Sequence, residues 1–323
     1  MRKALTVGID DYEGKADLAG CCNDANAVAS TLERNGDGSK NFDTLVRNNV
    51  SNKADLKSLI KDCFSGDGET ALFYFSGHGH IEAEGGYLVT PDFVQDDWGL
   101  PLSEVLTIAS KSKFNNKIII LDCCHAGAMG EITAIAENTA VISEGMTVLS
   151  SSRRDEPSLE RGGHGVFTSL LVEAIRGAAA DITGHITPGG VYAYIDKALG
   201  AWDQRPVFKT NVNSFISLRT VVPQVNPAVL RRLTEYFSDE NASIKLDPSF
   251  EYTNSPDVEH DVIEPYAIEA NVAVFKDLQK FEGVGLVIPE GEEHMYFAAM
   301  NSKTCKLTEI GKQYWRLVKS GKI

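Results

Sequence analysis

Two stretches of this 323-residue chain carry side chains suited to covalent chemistry: FYFSGHGH, Phe73 to His80, and IIILDCCHAG, Ile118 to Gly127. Each is a greasy run that stops at small or reactive residues. A thiol and an imidazole on neighbouring loops make a nucleophile and its base, since a thiolate attacks a carbonyl carbon well only when its proton has somewhere to go. Cys123 and Cys124 are the candidate thiols, and His78, His80 and His125 the candidate bases. The intervening glycines leave room for a substrate backbone. Zinc is the competing use of these residues together with Cys21 and Cys22, but structural zinc takes ligand pairs two to four residues apart, and the chain offers no CxxC.

The elements that must hold these residues are legible as an alternation of branched apolar runs and helix-period segments over the first two thirds, the pattern of a mostly parallel sheet covered by helices. Strands are expected over Leu5 to Ile9, Phe42 to Val46, Ala71 to Ser76, Lys117 to Leu121 and Met146 to Ser151, with a small hairpin turning at Gly85-Gly86. Helices are expected over Asn23 to Arg34, Lys53 to Phe64, Leu102 to Ser110, Val166 to Gly177 and Val191 to Leu199. RPVFK and SFISL read as two short paired strands. In open parallel sheets, reacting groups gather beyond the carboxyl ends of the strands, where both motifs lie.

A formal charge of -14 repels a phosphate backbone and favours basic partners or substrates. With 43% hydrophobic and 24% charged residues the composition is that of a soluble globular protein. MRKALTVGIDDYEG lacks a long apolar segment, and no run approaches membrane-spanning length, so the expectation is a cytoplasmic protein without a membrane span. The six cysteines, two adjacent pairs plus Cys63 and Cys305, make a poor disulfide framework, which suits a reducing compartment.

FYFSGHG and LDCCHAG, supported by LAGCCNDA and by SSRRDEPSLERGGHGVFTSLLVEAIRG, resemble the caspase and metacaspase group of cysteine peptidases, particularly compact prokaryotic forms, over about residues 3 to 220. The histidine precedes Cys124 by 46 residues, near the spacing of roughly 50 known for caspases. The resemblance implies a caspase-like α/β fold, a mostly parallel six-stranded sheet flanked by helices. It also implies a Cys124–His78 dyad, with Cys123 a packing residue, and an oxyanion hole from the N–H groups of Gly79 and Cys124. By position in the motifs, Cys21, Asp24, Ser76 and Asp122 match the metacaspase pocket for basic residues, so a protein substrate cut after Arg, with Lys second, is expected. Two carboxylates in a narrow slot suit a guanidinium fork.

Ala126 to Gly145 contains no Lys or Arg, so an Arg-directed enzyme cannot nick itself there. A single-chain enzyme gated by another device follows. No cofactor is required. Calcium is the one ion with acids at roughly suitable positions, Asp96, Asp97 and Glu131 with Glu82 or Glu84, although a solvated acidic face explains them equally well.

VVPQVNPAVL ends the alternation, which divides the chain into a peptidase domain, residues 1–220, and a small C-terminal domain, residues 221–323. The second resembles a winged-helix-like α+β module, with GLVIPEG and MYFAAM as wing strands and a closing helix in LTEIGKQYWRLV. Its acidity favours docking a regulatory protein partner over reading nucleic acid, the alternative being a non-catalytic adaptor or DNA-linked regulator. Prokaryotic relatives suggest a regulated defence effector.

Overall fold

A computed structural model describes residues 1–13, 16–82, 85–123, 142–151, 160–161, 164–199, 206–257 and 262–323. The chain divides into two compact units, Met1–Val222 and Pro223–Ile323.

In the first unit, the apolar runs form strands longer than their greasy centres. They are β1 (Arg2–Gly8), β2 (Asp43–Asn48) and β3 (Asp67–Ser76), with helices α1 (Cys21–Glu33) and α2 (Lys53–Phe64) between them. β4 (Gly79–Glu82), β5 (Gly85–Val94) and β6 (Asp97–Pro101) form a small antiparallel sheet. α3 (Leu102–Ser110) leads into β7 (Lys113–Asp122), followed by β8 (Met146–Ser150), the short pair β9 (Glu160–Arg161) and β10 (His164–Gly165), and α4 (Val166–Glu173). A π turn, Ala174–Ala178, extends α4. β11 (His185–Ile186), α5 (Pro188–Ala198), β12 (Val207–Asn211) and β13 (Arg219–Thr220) complete the unit.

The main sheet has six strands in the order β12-β8-β7-β3-β1-β2, all parallel except the edge strand β12. The expected mostly parallel six-stranded sheet is therefore present. The pleat sends alternate residues to opposite faces. Ile119 and Leu121 of β7 and Phe73 and Phe75 of β3 join α2 and α3 on one face. Ile118, Ile120, Leu72 and Tyr74 join α1, α4 and α5 on the other. Burial on both faces explains why β3 and β7 read as continuous apolar runs rather than alternating ones.

Two local expectations in this unit are corrected. RPVFK and SFISL do not pair: β12 pairs antiparallel with β8, and Ser214 to Leu218 forms no strand. Glu82 lies opposite Gly85, so Gly85 and Gly86 belong to β5 instead of forming the turn.

The second unit holds short helices α6 (Pro227–Leu230) and α7 (Leu233–Tyr236), then β14 (Ser243–Lys245), α8 (Glu269–Gly283), β15 (Val287–Glu290), α9 (Met295–Met300), β16 (Thr304–Leu307) and α10 (Glu309–Lys319). Its antiparallel sheet runs β14-β16-β15. MYFAAM is helix, not a wing strand: Met295, Ala298 and Ala299 are buried at helical spacing, and the strand beside β15 is supplied by TCKL. Asp277 of α8 is buried among Arg232 (2.8 Å), Lys280 (3.0 Å) and the Tyr236 hydroxyl (2.9 Å). Among the described residues no helix is long and apolar enough to cross a membrane.

Candidate active site

Register fixes where the two motifs meet. Gly8 of β1 lies beside Ser76 of β3, and Ser76 beside Asp122 of β7, so three neighbouring parallel strands end in one row. The chain crosses from β1 to β2 on one side and to β3 on the other. Loops diverge at such a switch point and leave a crevice for ligands.

The histidine loop leaves β3 through Gly77. The His78 imidazole is half-exposed and lies against the ring of Tyr12, with centroids 4.7 Å apart. Its Nε2 is 2.6 Å from the main-chain oxygen of Ala16. A carbonyl oxygen only accepts, so Nε2 carries a proton, and the tautomer with a free lone pair is the one that has it on Nδ1. The Tyr12 hydroxyl, fully buried, accepts the His78 N–H at 2.8 Å and so fixes the loop from behind. Burial pushes this phenol far above its usual range.

The four expected pocket residues come together on the α1 and α4 side of the sheet. Asp10 accepts from the N–H groups of Cys21 (2.7 Å) and Cys22 (3.1 Å), and so caps α1 from the loop after β1. A Cβ on Gly8 would stand 2.2 Å from the Cys21 carbonyl oxygen, so only glycine lets α1 begin this close to the strand end. Cys21, Asp24, Ser76 and Asp122 are all at most 5% exposed. Cys21 is hydrogen-bonded to Ser76, and burial raises its thiol far above the usual range. Asp24 accepts the Gly165 N–H at 3.0 Å, and Asp122 accepts the Thr168 hydroxyl at 2.6 Å. An ideal Cβ on Gly165 would lie 2.4 Å from Asp122 Oδ2 and 3.2 Å from Asp24 Oδ2, so both carboxylates line one spot. Burial, with Asp24 adding its charge, raises the Asp122 carboxyl to about 6.

Cys123 is 1% exposed and packs with Phe75 and Leu121 on the face opposite Asp122, as a packing residue would. Cys124 lies outside the described residues, as do His125, Glu84, Glu131, Arg153 and Arg154. Gly79 begins β4 opposite Leu88. His80 is engaged elsewhere, stacked on Trp98 with Nε2 3.5 Å from Glu82.

Of the calcium candidates, Asp97 is paired with Lys53 at 2.7 Å, Glu82 accepts the Trp98 indole N–H, and Asp96 sits in a left-handed turn at φ 72. Among the described residues no three His, Cys, Asp or Glu side chains are grouped to hold a metal.

Sequence reasoning missed Tyr12, Ala16, Gly165, Thr168 and Ser151, whose hydroxyl also bonds to Asp122. Ala16 acts through its carbonyl and carries no side-chain signal. Thr168 stands in GVFTSLL, where its place on α4 looks like ordinary helix.

A cysteine-peptidase assignment rests on more than this geometry. The Caspase domain family (Peptidase_C14) matches residues 1–188, over half of the chain, and the chain belongs to this family of cysteine peptidases. It is similar to metacaspase-2 of Trypanosoma brucei brucei, 27% identical over 152 residues, which is 40% of this chain and 43% of the relative. Metacaspase-3 of the same organism is 27% identical over 152 residues, 40% of this chain and 42% of its own. The chain thus spans less than half the length of these curated relatives. In structure it resembles a Geobacter sulfurreducens protein known from a crystal structure, with a TM-score of 0.51 and 17% identity, over 68% of this chain and 97% of that one. This last likeness concerns the fold alone.

Proposed function

We propose that the chain is a cysteine endopeptidase that cleaves proteins after basic residues, Arg ahead of Lys, as a single chain, with Cys124 as nucleophile and His78 as its base. The observation that carries the reading is the convergence of Asp24 and Asp122 on one spot at the strand ends, beside Cys21 and Ser76. Two buried acids facing one spot suit a guanidinium, whose fork can meet both carboxylates.

In the proposed reaction the Cys124 sulfur bonds to the scissile carbonyl carbon while its proton passes to His78 Nδ1. The imidazolium that results keeps its Nε2–H on the Ala16 oxygen, which steadies both ring and charge. His78 returns the proton to the departing amine as the C–N bond breaks. Water, deprotonated by the same nitrogen, then releases the acid and restores the thiol. The N–H groups of Gly79 and Cys124 receive the oxyanion, each such donor being worth roughly 3 kcal/mol of barrier.

The second unit serves in this reading as a regulatory, partner-docking module rather than a nucleic-acid reader. Five of its eleven Lys and Arg side chains are paired with acids: Arg232 and Lys280 with Asp277, Lys306 with Glu290, Lys312 with Glu309 and Arg316 with Glu240. A regulated effector in the cytoplasm, requiring no cofactor, is the setting that fits.

The test is a fluorogenic peptide ending in Arg, Lys or Asp, given to wild type and Cys124→Ala with and without calcium. Cys124-dependent release, ordered Arg, Lys, then none for Asp, is expected. Absence of any Cys124-dependent release would sink the proposal and favour the non-catalytic adaptor.

A further inference from the structure

The pocket acids pose a question of charge. Asp122 is enclosed beside Asp24, and neighbouring carboxylates in one enclosure tend to share a proton. A protonated Asp122 would offer a guanidinium a donor where an acceptor is needed.

What opposes protonation is a chain of hydroxyls. Thr168 Oγ1 donates to Asp122 Oδ2 at 2.6 Å and lies 2.6 Å from the hydroxyl of Tyr74. Thr168 has one hydroxyl proton, and with that committed to Asp122 the Tyr74 phenol must be the donor in the second bond. Both protons therefore point towards the carboxylate. The Thr168 N–H and the Ser151 hydroxyl also bond to Asp122, while burial and Asp24 push the other way. Among the described residues, the titratable groups facing Asp122 are Asp24 and Cys21 from α1 and Tyr74 from β3, and α4 and the residue after β8 contribute hydroxyls and an amide. Tyr74 and Thr168 are at most 1% exposed, so water cannot substitute for either.

Resting on the reading of Asp122 as part of a basic-residue pocket, we infer that Thr168 is a positioning residue for specificity, holding Asp122 ionised and fixed for the substrate's guanidinium. The role is carried by a hydroxyl and an amide on the first turn of α4, an element the peptidase chemistry does not otherwise use. Tyr74 supports it from one bond further back.

Thr168→Val, Thr168→Ser and Tyr74→Phe separate this role from simple packing. For an Arg peptide, the acid limb of kcat/KM should move to higher pH by about one pH unit in Thr168→Val, with KM rising below pH 7 more than kcat falls. Thr168→Ser should restore the wild-type profile, and Tyr74→Phe should shift it part of the way, which keeps the test alive if the valine variant folds poorly. Carboxyl titration by carbon NMR, in Cys124→Ala with and without Thr168→Val, should show Asp122 titrating higher without the hydroxyl. A wild type inert towards Arg peptides would sink the pocket reading and this role with it. An unmoved Asp122 titration or acid limb in an active enzyme would overturn this inference alone.

Discussion

Asp24 and Asp122 meet at a single glycine. The Gly165 N–H binds one carboxylate at 3.0 Å, and its Cα hydrogens occupy space that both acids border. Gly165 has φ -62, a conformation open to any L residue, so the requirement for glycine here is purely steric. Gly165→Ala should therefore lower stability by about 1–3 kcal/mol through overpacking, and should weaken cleavage after Arg by displacing the acids. Urea unfolding together with KM for an Arg peptide checks both.

Asp122 should also leave a signature in pH-dependent stability. Burial raises its carboxyl to about 6 in the folded chain, against about 3.9 when unfolded. The folded state then holds the proton more tightly, so the contribution is full below the unfolded value and is lost as pH rises through about 6. Wild type should lose about 2–3 kcal/mol from this group between pH 4 and pH 7, and Asp122→Asn should show a flatter profile. Parallel curves for the two proteins would refute the assignment.

Asp277, in the other unit, should behave with the opposite sign. Burial works against its ionisation, but Lys280, Tyr236 and Arg232 together outweigh it and hold the carboxyl below its usual value. Its contribution is present above the usual carboxylate range and is lost as pH falls through the lowered value. Its basic partners are half-exposed, so Asp277→Asn should cost about 2 kcal/mol at pH 7, below the 3–5 kcal/mol of a fully enclosed pair. A loss that does not shrink on acidification would contradict the account.

Tyr12→Phe removes the acceptor of the His78 N–H. An unpaired, partly buried donor costs about 1–3 kcal/mol. Activity should fall as well, since the loop that carries the imidazole loses its rear support. Unchanged thermal unfolding and unchanged kcat/KM would show that water takes over the bond.

The strands and helices around the site were legible because β3 and β7 are buried on both faces and because α2 begins at a capping Asn52 that accepts from Asp55 N–H at 2.8 Å. Strand partners were less so. β12 could pair with any exposed edge, and its choice of β8 over the neighbouring SFISL is a tertiary matter that local pattern does not carry. MYFAAM misled because its six residues are apolar or aromatic at nearly every position, which leaves period 2 and period 3.6 indistinguishable. Asp24 and Asp122 stood out within their motifs, whereas Ala16 and Thr168 act through atoms or contacts that a residue's identity does not advertise.

The alternation at the end of β7 has a consequence for how such a chain can change. Asp122 and Cys123 are successive teeth of one comb, pointing a charge one way and a thiol the other. A one-residue slip would thrust the carboxylate onto the face that holds Phe73 and Phe75 and the sulfur towards Thr168. Insertions upstream in this strand are thus doubly forbidden.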